Sequence, residues 1–237
     1  MSPPIPQHVV FIPDGNRRWA RREGLPVLEG HRQGMARGRE LLRRAVEFGI
    51  PYASFWGMSI DNFTKRSQIE VAGLVAVFQK LFEDFLDDED LVKKQVRVRV
   101  LGQWAEKFPP GATEVIRALE EKTKHHTAFN FTLLLAYNGT DEMLSAVSAI
   151  AKEAVAAGEA PPVTSQTLKS HLLTKDLPPV DLVIRSGGDP HLSNGFMMWD
   201  TANAELYFTD KYWPEFGHQQ FEEALGWYAS RERRMGK

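Results

Sequence analysis

Cysteine is missing from the chain altogether. That excludes a disulfide framework, thiolate metal ligation and cysteine nucleophiles. No run of about 18 apolar residues occurs, so nothing in the sequence is built to span a bilayer. Met1 to Gln7 lack the basic-then-apolar design of a secretory signal, and a cytoplasmic location is expected. Strong net charge is also missing: 29 basic against 31 acidic side chains leave -2, which argues against a nucleic-acid partner. Internal repeats and low-complexity linkers do not occur. What is present, 43% apolar and 25% charged residues in 237, is the composition of an ordinary globular protein with enough chain to bury a core.

The charge is unevenly spread. Residues 1–44 hold nine arginines and no lysine against four acids, Asp14, Glu23, Glu29 and Glu40. Arginine suits planar, bidentate capture of phosphate or carboxylate oxygens. Arg37, Arg39, Arg43 and Arg44 fall on a helical pattern and read first as a solvated helix face. Arg17 and Arg18 instead follow a loop with its own chemistry. Glu83 to Asp90 places six acids in eight positions and reads as a solvated helix end.

Short β-type runs recur at His8–Ile12, Tyr52–Met58, Val96–Leu101, Phe129–Ala136, Asp181–Arg185 and Ala204–Phe208. Between most of them stand helical patterns: Arg32–Phe48, Ile69–Leu91, Thr113–Lys124, Glu142–Ala157 and Gln219–Arg233. This alternation predicts an α/β fold, one domain over residues 1–237 with a central, mostly parallel sheet of about six strands flanked by helices. Arg97 and Arg99 alternate with valines, so one side of that strand is expected to meet solvent or charge.

Two strand-to-loop segments carry the chemistry. His8 to Trp19 reads as a buried strand, a tight loop and a helix start, where open α/β sheets bind ligands. Gly15 lets the backbone approach closely, Arg17 and Arg18 supply charge, and a helix start favours an anion. Asp14 would repel that anion unless a Mg2+ lay between them, an ion that takes one or two carboxylates plus phosphate oxygens. Equally, Asp14 and Asn16 could do no more than shape a turn and cap the helix. The second segment, Val180 to Asn194, carries Arg185, Ser186, two glycines, His191 and Ser193, with Glu205 available for metal or backbone contacts. It reads either as a second phosphate site or as a glycine turn with an arginine paired to a carboxylate. Neither loop matches a P-loop or dinucleotide fingerprint.

Taken together the chain resembles the cis-prenyltransferases, the family of undecaprenyl and dehydrodolichyl diphosphate synthases. The matching segments are Asp14-Gly-Asn-Arg-Arg-Trp19, Gly30-His31, Ser59-Ile-Asp-Asn-Phe63, Tyr137-Asn-Gly139, Asp181 to Ser193, Ala204 to Asp210, and Arg231 to Gly236. They occur in family order over nearly the whole chain. The resemblance implies Mg2+-dependent condensation of isopentenyl diphosphate with an allylic diphosphate, making a Z double bond. Asp14 would be the metal-linked carboxylate. Gly15, Asn16, Arg17 and Arg18, with Trp19 and Arg66 in the same group, would cradle the allylic diphosphate beside His31. Ser59 and Asn62 would assist proton removal. Arg185, Ser193 and His191 would hold isopentenyl diphosphate, with Glu205 supporting metal or substrate. In the family's homodimers the Arg-x-Gly tail, here Arg234 and Gly236, reaches the neighbouring subunit's site. The product would need an apolar channel, with the Ile69–Leu91 face as one wall and Phe129, Phe131 and Leu135 as candidates for its far end. A long product would bring peripheral membrane contact.

The chain departs from the family pattern where an arginine is usual four positions before the Gly-His histidine, here Val27, and two before the second-loop serine, here His191. Phe63 stands where tryptophan is common, and there is an extra residue near Gly195 and another near Thr64–Lys65. Arg32, Lys65 or Arg66 are the candidates to replace the missing charge. Three other readings compete: a silent partner subunit, a head-to-middle condensation of five-carbon units, and a phosphatase, the last lacking a nucleophile motif.

Overall fold

The computed structural model describes residues 4–159 and 162–231. Strands β1 (His8–Ile12), β2 (Tyr52–Met58), β3 (Val96–Leu101), β4 (Phe129–Leu135), β5 (Leu182–Arg185) and β6 (Glu205–Phe208) form one sheet in the order β3-β4-β2-β1-β5-β6. All five pairings are parallel. The six predicted strands are therefore present, with ends shifted by no more than a residue.

A parallel sheet must be covered on both faces, so its inner strands are largely apolar and their residues alternate between two cores. Val9, Phe11, Phe55, Phe131, Leu133 and Ile184 point to one side, where α2 (Val27–Glu47), α4 (Gln68–Asp87), α7 (Pro110–Thr123) and α10 (His218–Ala229) pack. Val10, Ile12, Trp56, Leu134 and Val183 point to the other, against Tyr137, Phe196 and Met197. That side also carries α8 (Gly139–Ala157) and α9 (Ser165–His171), which pack on each other. Each large side chain so buried contributes about 1.5–3 kcal/mol. Edge strand β3 is not left open: Val98 N–H donates to Thr123 Oγ1 at 3.1 Å and Val100 N–H to Glu120 Oε1 at 2.8 Å, so α7 covers its free donors. Arg99 turns outward to Asp176 at 3.3 Å, meeting the charge its alternation anticipated.

Several helix ends need correction: α7 begins at Pro110 and α8 at Gly139, each three residues early, and α10 stops at Ala229. α2 begins at Val27, a turn before Arg32. The run predicted as one helix from Ile69 to Leu91 breaks at Asp88, whose side chain takes the Asp90 N–H and starts a separate short helix, α5 (Glu89–Lys93). The acidic run is also less solvated than its composition suggests. Arg39 reaches Asp84 at 3.0 Å and Asp88 at 3.7 Å, and Arg43 reaches Asp88 at 3.7 Å.

Candidate active site

The sheet extends from β1 to β2 on one side and to β5 on the other. The carboxyl ends of β1 and β5 thus flank the point where strand order reverses, the place where open α/β sheets bind ligands. Ile12 is in register with Arg185, so the loops that follow these two strands meet. A cleft of about 380 Å³ opens there. Asp14, Asn16, His31, Arg66, Arg185 and Ser193 line its polar end, with Ser59 and Asn62 alongside; Met35, Phe55, Leu74 and Phe78 line the other. Met35 and Phe55 also wall a 10 Å³ void reaching Phe85 and Phe131, and beyond it lies a 60 Å³ cavity bordered by Phe129. These spaces follow the apolar α4 face named from the sequence; Leu135 instead turns to Phe78's neighbour Gly57.

Asp14 is the hinge of the polar end. Its backbone is pinned by Ser186, whose Oγ accepts the Asp14 N–H and donates to the Asp14 carbonyl, both at 2.9 Å, while Trp213 N–H donates to the same carbonyl at 2.9 Å. Its carboxylate reaches Arg185 Nη2 and Arg18 Nη2, each at 3.2 Å, and accepts the Gly15 N–H at 2.5 Å. Gly15 holds φ +94°, and a Cβ there would lie 2.5 Å from Tyr212, so no other residue fits. Tyr212 in turn lies under the guanidinium groups of Arg18 and Arg22, 5.2 and 5.3 Å from its ring centre. The next helix, α1 (Asn16–Arg22), crosses α2 so closely that a Cβ on Gly30 would stand 2.2 Å from the Asn16 carbonyl. That contact explains the Gly30-His31 pair: the glycine admits α1 and the histidine beside it enters the cleft.

His31 is 7% exposed, and burial together with nearby Arg66 holds its pKa down to about 4. At neutral pH it is an uncharged ring whose Nε2 faces Glu70 Oε1 at 3.4 Å. The same oxygen meets Arg66 at 3.3 Å and Arg17 Nε at 3.5 Å. Ser59 begins α3 (Ile60–Lys65), and its N–H donates to Asn62 Oδ1 at 3.2 Å. Buried Asn138 accepts from Ile60 N–H at 3.2 Å and from Asn194 Nδ2 at 3.3 Å, tying that turn to the second loop. In that loop Arg185 is 4% exposed and donates to the His191 carbonyl at 2.7 Å and to Ser193 Oγ at 3.0 Å. His191 Nε2 lies 2.9 Å from Ser193 Oγ and Nδ1 lies 2.8 Å from Asp189.

Most of the predicted site residues gather at or beside this cleft. Gly15, Arg17 and Arg18 flank it, while half-buried Trp19 lies one residue further along α1. Glu205 is not brought to it. It starts β6 in register with Leu182, about 10 Å along the strand from Arg185, and meets Arg231 at 3.5 Å. A Glu205 that shares a metal with Asp14 is therefore not reproduced within one chain, because the two stand at opposite ends of their strands. Arg234 and Gly236 lie outside the described residues. Of the candidates to replace lost charge, Arg32 pairs with Glu29 at 3.7 Å away from the cleft, while Lys65 and Arg66 both line it, Lys65 being engaged by Asp61 at 2.6 Å. Among the described residues no three acids or histidines converge as a metal cage. A Mg2+ held by one carboxylate and a ligand's phosphate oxygens needs none, and Asp14 fits that donor set. Glu70 and Tyr212 were not singled out from the sequence, while Ser186 and Asn138 were named within their segments without the tying roles seen here. Glu70 is masked there by the Ser67-x-x-Glu70 helix-start pattern, and nothing in the sequence distinguishes Tyr212.

A cleft at the switch point of a parallel sheet, with Asp14, Arg66 and Arg185 in its lining beside apolar Met35, Leu74 and Phe78, suits a ligand with an anionic head and an apolar body. The sequence signature of the family described as "Putative undecaprenyl diphosphate synthase" matches residues 12–236. The chain belongs to this family, the cis-prenyltransferases, and is an enzyme of that kind. It is 38% identical to an isoprenyl transferase of Thermus thermophilus, over 99% of this chain and 90% of that one. It is 39% identical to the trans,polycis-polyprenyl diphosphate synthase, (2Z,6E)-farnesyl diphosphate specific, of Thermobifida fusca, over 98% and 81%. Among solved structures, lavandulyl diphosphate synthase from Lavandula x intermedia, in complex with dimethylallyl diphosphate, superposes with a TM-score of 0.90 at 31% identity, covering 98% of this chain and 99% of that one. A probable undecaprenyl diphosphate synthase from Campylobacter jejuni gives 0.77 at 26%, with the same coverage.

Proposed function

We propose that the protein condenses isopentenyl diphosphate with an allylic diphosphate in a Mg2+-dependent reaction that lengthens the chain with a Z double bond. The observation that carries this reading is the Asp14 carboxylate set between Arg18 and Arg185 at the head of a cleft whose far end is apolar. Breaking the allylic C1–O bond leaves charge on the departing diphosphate, and Arg18, Arg66 and Arg17 are donors already in place for it. Asp14 would hold the Mg2+, which when bound supplies further neutralisation of that charge. Met35, Phe55, Leu74 and Phe78 keep water from the allylic cation. Arg185 and Ser193 hold the isopentenyl diphosphate, and His191 steadies Ser193 in place of the usual arginine. Ser59 and Asn62 face the carbon that loses its proton; neutral His31 takes part as a hydrogen-bonding group rather than a charge.

The working form is a homodimer in which Arg234 and Gly236 complete the neighbouring site. An apolar stripe of Leu144, Val147 and Val155 left exposed on α8 supports a second copy. No helix among the described residues is long and apolar enough to cross a membrane; the proposed setting is cytoplasmic, with peripheral membrane contact for long products. Incubation with Mg2+, isopentenyl diphosphate and dimethylallyl, geranyl or farnesyl diphosphate, followed by mass and NMR analysis, tests the reading. A Z-configured linear product is expected; no turnover with any pair would favour a silent partner subunit. One observation favours a second reading, head-to-middle joining of five-carbon units: the 0.90 superposition on the lavandulyl enzyme. A branched ten-carbon product from dimethylallyl diphosphate would select it.

A further inference from the structure

One oxygen in the molecule is asked to satisfy three partners at once. Glu70 Oε1 lies 3.3 Å from Arg66 Nη1, 3.4 Å from His31 Nε2 and 3.5 Å from Arg17 Nε. The four residues come from different elements: Arg17 from α1, His31 from α2, Arg66 from the end of α3, and Glu70 from the first turn of α4. Charge-assisted N–H···O⁻ bonds settle at about 2.7–2.9 Å. None of these three does, and Arg17 Nε is buried without any hydrogen bond. Elsewhere the same protein makes tight pairs, such as Arg44 with Glu47 at 2.6 Å. The Glu70 carboxylate is 15% exposed, so it is held among cations that it balances but does not bind closely.

Two arginines crowded beside a cleft repel each other unless an anion stands between them. Glu70 is that anion here. A diphosphate entering the polar end carries more charge and more oxygens, and offers Arg66, Arg17 and His31 shorter bonds than one shared carboxylate oxygen can. We propose that Glu70 is a displaceable counter-ion: it holds the diphosphate-binding groups in position while the site is empty, yields them to the allylic diphosphate, and by returning helps expel the inorganic pyrophosphate that the reaction leaves behind. The exchange makes and breaks ion pairs only. Ser67 anchors the helix start by accepting the Glu70 N–H at 3.2 Å, so the side chain can swing while its backbone stays in place. The proposal rests on the reading that this cleft binds a diphosphate.

The test is calorimetric titration of inorganic pyrophosphate into the full-length wild type, Glu70→Asp and Glu70→Gln, with a thermal melt of each and pyrophosphate inhibition measured in the condensation assay. A structural role alone would weaken binding in both variants. A displaced counter-ion predicts the reverse: pyrophosphate binds about five- to tenfold more tightly to Glu70→Gln. Glu70→Asp, whose shorter arm draws the charge back, falls between, which keeps the test open if the glutamine variant unfolds. Turnover drops and product inhibition deepens in the same order, while KM for the allylic diphosphate falls. Unchanged or weaker binding in folded variants overturns the proposal. If the wild type itself does not bind pyrophosphate, the diphosphate reading of the cleft fails first and takes the proposal with it.

Discussion

The arginines of α1 and those along the second half of α2 stand within thirty residues of one another, yet their surroundings differ in kind. Arg37, Arg39 and Arg44 each have close partners of their own. Arg37 pairs with Glu40 and donates to the Pro214 carbonyl; Arg39 pairs with Asp84 and lies over Phe85; Arg44 is shared by Glu47 and Glu222. Arg17 and Arg18 have one carboxylate each, at 3.5 and 3.2 Å, and both of those acids also serve other cations. Composition cannot tell these groups apart, since each is arginine on a helix. Stoichiometry can: where acids match arginines the charge is structural, and where cations outnumber acids around a cleft the protein is short of an anion that the ligand brings.

Substitutions that change this imbalance should therefore act on chemistry, and substitutions in the closely paired set on stability. The largest effect is expected from Asp14→Ala, which removes the carboxylate held between Arg18 and Arg185. Turnover should fall by about a thousandfold, read as kcat under saturating substrate, and because buried Arg185 loses a partner the melting temperature should fall too. Arg185→Ala should cost about a hundredfold in kcat/KM for isopentenyl diphosphate. Because Arg185 is buried and ties Asp14 to Ser193, it should also lower stability, which a urea titration would show.

Acid should loosen the cation-rich set selectively. His31 titrates near 4 in the folded state against about 6.5 when unfolded. The unfolded chain therefore takes up the proton first, stability is highest above about 6.5, and it falls as pH drops towards 4. Between pH 7 and pH 5 this amounts to about 2 kcal/mol, which His31→Gln should remove from the difference between unfolding curves at the two values. His8, also held to about 4 by burial, contributes an equal share that the variant leaves in place. The smallest effect belongs to the closely paired set. Arg39→Ala should cost about 1 kcal/mol of stability and leave kcat unchanged, a result that a parallel melt and rate assay would check.

Much of the fold was legible because a buried parallel sheet writes itself as apolar, β-branched and aromatic runs, as at Val9–Ile12 and Phe129–Leu135. Helix ends were less so. Val27 starts α2 behind Pro26 without a capping side chain, and the break at Asp88 depends on one carboxylate choosing a backbone N–H inside an acidic run. At the site, Asp14, Arg185 and Ser193 could be found because each lies at the carboxyl end of a strand or in the loop after it. Glu70 and Asn138 could not be assigned their roles, since an arginine clamp and a loop-to-loop tie exist only once distant segments meet. Glu205 shows the converse. Its motif was readable, and the strand expected at Ala204–Phe208 already put it at the amino end, away from the loops that carry Asp14 and Ser193.

The bond between Asp14 and Arg185 joins residues 171 positions apart. The two strands that present them are neighbours in space, yet most of the chain lies between them in synthesis and in folding. Contacts of such separation carry a large loop-closure cost and form late. On refolding, helical signal should return before activity does, because α2, α4 and α7 can form and pack before β5 docks against β1. A truncated or nascent chain ending before β5 would hold the first arginine loop and no site. Recovery of turnover therefore serves as a clock for the last strand pairing, and the cleft exists only in chains that have completed it.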